Sequence, residues 1–67
     1  MTRVEFYRTS DDTKIVTVCM ENEGNRYMTK HIKKGEINES DYMVCMNTRF
    51  EIKDIEFNEG TTWVKVV

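Results

Sequence analysis

The stretch Ser40-Asp41-Tyr42-Met43-Val44-Cys45-Met46 decides how this chain is read. Most of the sequence alternates apolar and polar residues at strand spacing, whereas here two polar residues open onto five apolar ones. Ser40, and Asn38 before it, are good helix N-caps, and Glu39 and Asp41 place negative charge where a helix N-terminus is positive. With Ser40 as cap, Tyr42, Cys45 and Met46 fall at i, i+3 and i+4 and share a face. Asn47-Thr48 ends such a helix after roughly two turns, so it exists only if packed. The competing reading is a strand in which Tyr42, Val44 and Met46 align. The caps and the methionines favour the helix.

Working outward, the rest reads as strands. Residues 3–9 form a first strand with Val4 and Phe6 on one face and Glu5 and Tyr7 on the other. Ser10-Asp11-Asp12-Thr13 is a cluster of turn formers. Residues 14–21 are apolar on both faces as far as Met20, which predicts a central strand covered on both sides. Asn22-Glu23-Gly24-Asn25 supplies the positive φ of a tight hairpin, and residues 26–34 return as a third strand until Gly35 breaks it. In that strand Met28 and Ile32 take one face and Tyr27, Thr29 and His31 the other. Residues 49–57 form another strand in which Phe50 and Ile52 alternate and Ile55 and Phe57 resume out of phase. A bulge near Lys53-Asp54 restores the face. Asn58-Glu59-Gly60 repeats the earlier turn tripeptide, and residues 61–67 close the chain as a last strand with Trp63. The sum predicts an α+β fold: a small antiparallel sheet of four to five strands in two hairpins, with one short helix near residues 40–47.

Sixty-seven residues hold one domain, 1–67, whose single core gives only about 3–5 kcal/mol, so a partner subunit is expected. With 39% hydrophobic residues the chain has enough apolar surface to fold. It has no apolar run of membrane-spanning length, and its charged, strand-like start does not read as a signal peptide, so the expected location is cytoplasmic. Cys19 and Cys45 are then expected as buried free thiols. Neither lies near a second cysteine or a histidine at metal spacing, so no metal or other cofactor is expected.

Nothing in the sequence marks an enzyme. His31 stands alone on a strand, nothing next to Cys45 in sequence marks it as a nucleophile, and the three glycines are scattered. Arg26, Tyr27, Lys30 and Lys33 on the third strand supply a fragment of the basic and aromatic pattern of a nucleic-acid-binding sheet. The net charge of −2 is too small to argue for or against such a partner by itself, but the overall acidic balance disfavours that reading. A protein-binding role fits better. Methionine suits adaptable binding surfaces, and Tyr42, Met43 and Met46, flanked by Glu39 and Asp41, form a candidate partner-binding patch on the short helix.

The order Val16-Thr17, a strand, Glu23-Gly24, a strand with Tyr27, then Lys34-Gly35, Ser40-Asp41-Tyr42, Asn47-Thr48 and Glu51-Ile52 resembles the small phage-encoded inhibitors of uracil-DNA glycosylase. The resemblance is to the short dimeric type from Bacillus podophages and covers residues 16–56. It implies a homodimeric DNA mimic that works in the host cytoplasm. Such a protein occupies the DNA cleft of the repair enzyme, takes the enzyme's inserted leucine into an apolar pocket, and imitates phosphates with nearby acids. Tyr42 matches the family's pocket aromatic. Met43 stands where the family has an acid and Met46 where it has an aromatic, and the strands at residues 3–9 and 61–67 are additions. The alternative target is another host enzyme or a defence protein, blocked by the same occlusion.

Overall fold

The computed structural model describes residues 1–67 and contains six strands and no helix: β1 (Thr2–Tyr7), β2 (Lys14–Glu23), β3 (Arg26–Thr29), β4 (Tyr42–Cys45), β5 (Thr48–Asn58) and β6 (Thr61–Val66). All pairings are antiparallel, and the strands close into a barrel in the order β1-β2-β3-β6-β5-β4. The barrel is therefore two three-stranded meanders, β1–β3 and β4–β6, stitched along the β1/β4 and β3/β6 seams. Because β4 returns across the barrel to lie beside β1, the path is a Greek key. Closure leaves no free sheet edge, which removes the usual liability of a small all-strand protein.

This overturns the α+β expectation of four to five strands plus a helix near residues 40–47. Residues 42–45 are strand β4, paired to β1 through Val4↔Cys45 and Phe6↔Met43 and to β5 through Met43↔Phe50. The two faces alternate with period two: Met43 and Cys45 enter the core, while Tyr42 and Val44 lie outside. The polar residues expected to cap a helix serve a turn instead. The Asp41 carboxylate accepts the Asn38 N–H at 2.8 Å while the Asp41 N–H bonds the Asn38 carbonyl at 3.0 Å, and the Thr9 hydroxyl bonds the Ser40 carbonyl. A two-turn helix lacks the internal bonds to compete with two full strand ladders.

One apolar core of twelve buried residues fills the barrel, with Val4, Phe6, Met20, Met43 and Val64 essentially inaccessible. Residues 30–41 cross one mouth, where buried Ile32 and Ile37 plug the interior and the Thr62 hydroxyl donates to the Ile32 carbonyl at 2.8 Å. The expected bulge is present: β5 slips register between Ile52 and Asp54, which returns Ile55 to the inner side opposite Val64. β2 is covered on one side only. Val18 and Met20 are buried, but Thr17 and Cys19 face outward, so Cys19 is an exposed free thiol and Cys45 a buried one. β3 stops at Thr29, short of residue 34, and its buried face carries Tyr27 and Thr29. The two Asn-Glu-Gly tripeptides make different turns. Gly24-Asn25 has positive φ at Gly24 alone (62°), whereas Glu59-Gly60 has it at both residues (52° and 78°). No helix of the chain is long and apolar enough to cross a membrane.

Candidate functional site

Tyr42, the residue expected to anchor a partner, is held in place from three sides. Its ring stacks on Tyr7 at 5.4 Å between centroids and 13° between planes, because Tyr7 and Tyr42 are directly paired across β1 and β4. The Arg49 guanidinium lies over it at 3.8 Å, and its hydroxyl donates to Asp12 Oδ1 at 2.7 Å. Asp12 reaches that hydroxyl from the β1–β2 loop through a left-handed backbone (φ 59°), which a short polar residue tolerates. The hydrogen bond to Asp12 raises the phenol's pKa, with partial desolvation adding to it. Only 8% of Tyr42 is accessible, so its apolar surface is already spent inside the molecule.

The neighbouring charges are engaged as well. Asp11 pairs with Arg8 at 3.2 Å, Glu5 with Lys14 at 2.9 Å and Glu51 with Arg49 at 2.6 Å. Exposed pairs of this kind are screened by solvent, so they position side chains more than they stabilise the fold. The other expected partner-binding residues do not assemble around Tyr42. Met43 is in the core, Asp41 is buried in its own turn, Glu39 is exposed on the crossing segment, and Met46 sits at the tip of the β4–β5 hairpin.

The opposite side of the barrel offers a different surface. Directly opposed residues on neighbouring strands share a face, so the register writes two outer rows across β2, β3, β6 and β5. One is Glu21-Met28-Trp63-Glu56 and the other Glu23-Arg26-Lys65-Asp54. Trp63 lies near the middle, partly exposed, with the Arg26 guanidinium 4.8 Å from its ring centre. Three shallow depressions of about 320, 150 and 280 Å³ all use Trp63 as a wall. Lys30 and His31 line the third. None of these charged residues makes an ion pair, in contrast to the Tyr42 side, where all three of the molecule's ion pairs lie.

Of the expected nucleic-acid face, Arg26 and Lys30 border Trp63, Tyr27 is in the core with its phenol pKa pushed up by burial, and Lys33 lies by the plugged mouth. Around the indole the carboxylates Glu21, Glu23, Asp54 and Glu56 outnumber the cations Arg26, Lys30 and Lys65. Nucleic-acid affinity comes chiefly from cations meeting phosphates, and this balance offers such contacts no excess of positive charge. It suits a surface of mixed charge. No three His, Cys, Asp or Glu side chains converge as metal ligands.

Trp63 is legible in the sequence as an outward residue, although it is not among the expected site residues. Thr62, Val64 and Val66 occupy one phase of β6, which leaves Trp63 with Thr61 and Lys65 on the polar phase. A large aromatic in the polar phase of a strand is the signal. Comparison with family models, with curated proteins and with solved structures finds no match for this chain.

Proposed function

We propose that this chain is a non-catalytic binding protein that acts by covering a surface of another protein, with Trp63 as its anchor. The observation that carries this reading is a partly open tryptophan on the outside of a closed barrel, between hollows and ringed by charges without partners. The barrel's own core is complete without it, because Val64 and Val66 fill the inner phase of β6. Tryptophan and arginine beside small clefts are the residue types that dominate interface energetics. Unpaired acids and bases at the rim suit steering and register.

Uracil-DNA glycosylase of a bacterial host is the target that the residue order over residues 16–56 suggests, with the chain working in the host cytoplasm. The short helix expected to carry the Tyr42 patch is absent, so the contact in this proposal passes from Tyr42 to the Trp63 face. Uracil excision by a purified bacterial glycosylase, measured with excess protein and with Trp63→Ala, tests it. Inhibition by the native chain, weakened at least tenfold in the variant, supports target and face together. Full excision at excess native protein removes the target, and a variant as potent as the native chain removes the face.

A further inference from the structure

The β4–β5 hairpin turns through Met46-Asn47, with φ of 52° and 64°. Both values lie in the left-handed region, for which Asn-Gly is the favoured pair. Methionine has no short polar side chain to ease that conformation, and Met46, 86% exposed, gives the core nothing in return. Beside it lies a hollow of about 470 Å³ lined by Arg3, Glu5, Val44, Met46 and Asn47, among others. Glu5 is bound to Lys14 at 2.9 Å and also accepts the Tyr7 hydroxyl, while Arg3 has no carboxylate within ion-pair distance. The hollow therefore presents an unpartnered guanidinium next to soft apolar side chains. Met1 lines both this hollow and the one between Met28 and Trp63, so the two surfaces are continuous.

We infer that the Met46 tip and Arg3 form a second contact for the covered protein, one that receives a segment carrying a carboxylate beside an apolar side chain. This inference rests on the binding role proposed above. Arginine grips a carboxylate with paired hydrogen bonds, and methionine moulds to an irregular apolar group. A second copy of the chain fits less well, because the one carboxylate it would bring to this hollow, Glu5, is already held by Lys14 and the Tyr7 hydroxyl.

Fluorescence anisotropy with a labelled peptide of alternating leucine and glutamate tests this, with leucine–lysine and glycine–glutamate peptides as controls. The leucine–glutamate peptide is expected to bind at least tenfold more tightly than either control. Arg3→Gln should weaken it about fivefold or more with little change in Tm. In the double variant Met46→Asn with Asn47→Gly, Tm should rise by about 4–8 °C as the turn relaxes, while peptide binding falls at least fivefold. Stability and binding moving in opposite directions is a result that a merely structural Met46 cannot produce. Equal binding of the leucine–lysine peptide, or native affinity in the double variant, overturns the inference. So does self-association in sedimentation velocity that the double variant abolishes, which would assign the hollow to a second copy. Failure of Trp63→Ala to change glycosylase inhibition would remove the anchor reading and leave these peptide results standing, so the two failures are separable.

Discussion

Tyr42 and Trp63 are both aromatic residues on the outside of the same barrel, yet their surroundings make them opposites. Tyr42 is roofed by Tyr7 and Arg49, tied to Asp12 through its hydroxyl, and set among acids that already have cationic partners. Trp63 has Arg26 on one side, hollows on the others, and no ion pair among its charged neighbours. An outward aromatic can thus be a clasp or an anchor. What separates the two is whether its neighbours have spent their hydrogen bonds and charges within the molecule.

The contrast is broken most directly by deleting each ring in turn. Tyr42→Ala removes a stacked pair, a cation–π contact and a buried ring, and should cost about 2–3 kcal/mol, a fall in Tm of roughly 10–20 °C for a domain of this size. Thermal melting followed by circular dichroism reads it, and binding per folded molecule should persist. A melt within a few degrees of the native chain would mean that the clasp holds nothing. Trp63→Ala should cost about 1 kcal/mol or less, because the ring is only partly covered. A loss as large as that of Tyr42→Ala would make Trp63 structural.

Smaller changes sharpen the same comparison. Tyr42→Phe keeps the stack and removes only the hydroxyl bond to Asp12, with an expected cost of about 0.5–1.5 kcal/mol in a urea melt. Arg26→Ala uncovers one face of the indole and should shift Trp63 emission to the red with Tm nearly unchanged; an unmoved spectrum would show that the guanidinium does not shield the ring. The smallest effect is ionic. The hydrogen bond from Lys14 lowers the Glu5 pKa below its ordinary 4.5. Its contribution is therefore present above about pH 4.5 and lost as pH falls through the lowered value. Lys14→Gln should flatten that part of the acid limb slightly, and added salt should do the same to the native chain.

Much of the fold was legible locally. The period-two alternation of Val4 and Phe6, the hairpin turn, which falls at Gly24-Asn25 within the expected 22–25, and the bulge that rephases Ile55 are all written in neighbouring residues. β4 was not legible in that way. Ser40, Asp41 and the apolar run suit a helix cap and a strand alike, and at this length the choice belongs to whatever the segment meets. Two open strand edges, β1 and β5, met it. The candidate site followed the same rule: Tyr42, Met43 and Met46 make one patch only on a helix, and the strand sends Met43 into the core and leaves Met46 in the hairpin turn.

By itself, then, the order of residues determined that Val4 and Phe6 share an inner face and where the chain can reverse. Only the tertiary structure decided that residues 42–45 pair with β1, that the sheet closes, and that Tyr42 is locked while Trp63 stays open. The physical reason is range. Alternation and turn chemistry act over a few residues, whereas the availability of an outer aromatic depends on partners such as Asp12 and Arg26, brought to it from about thirty residues or more away.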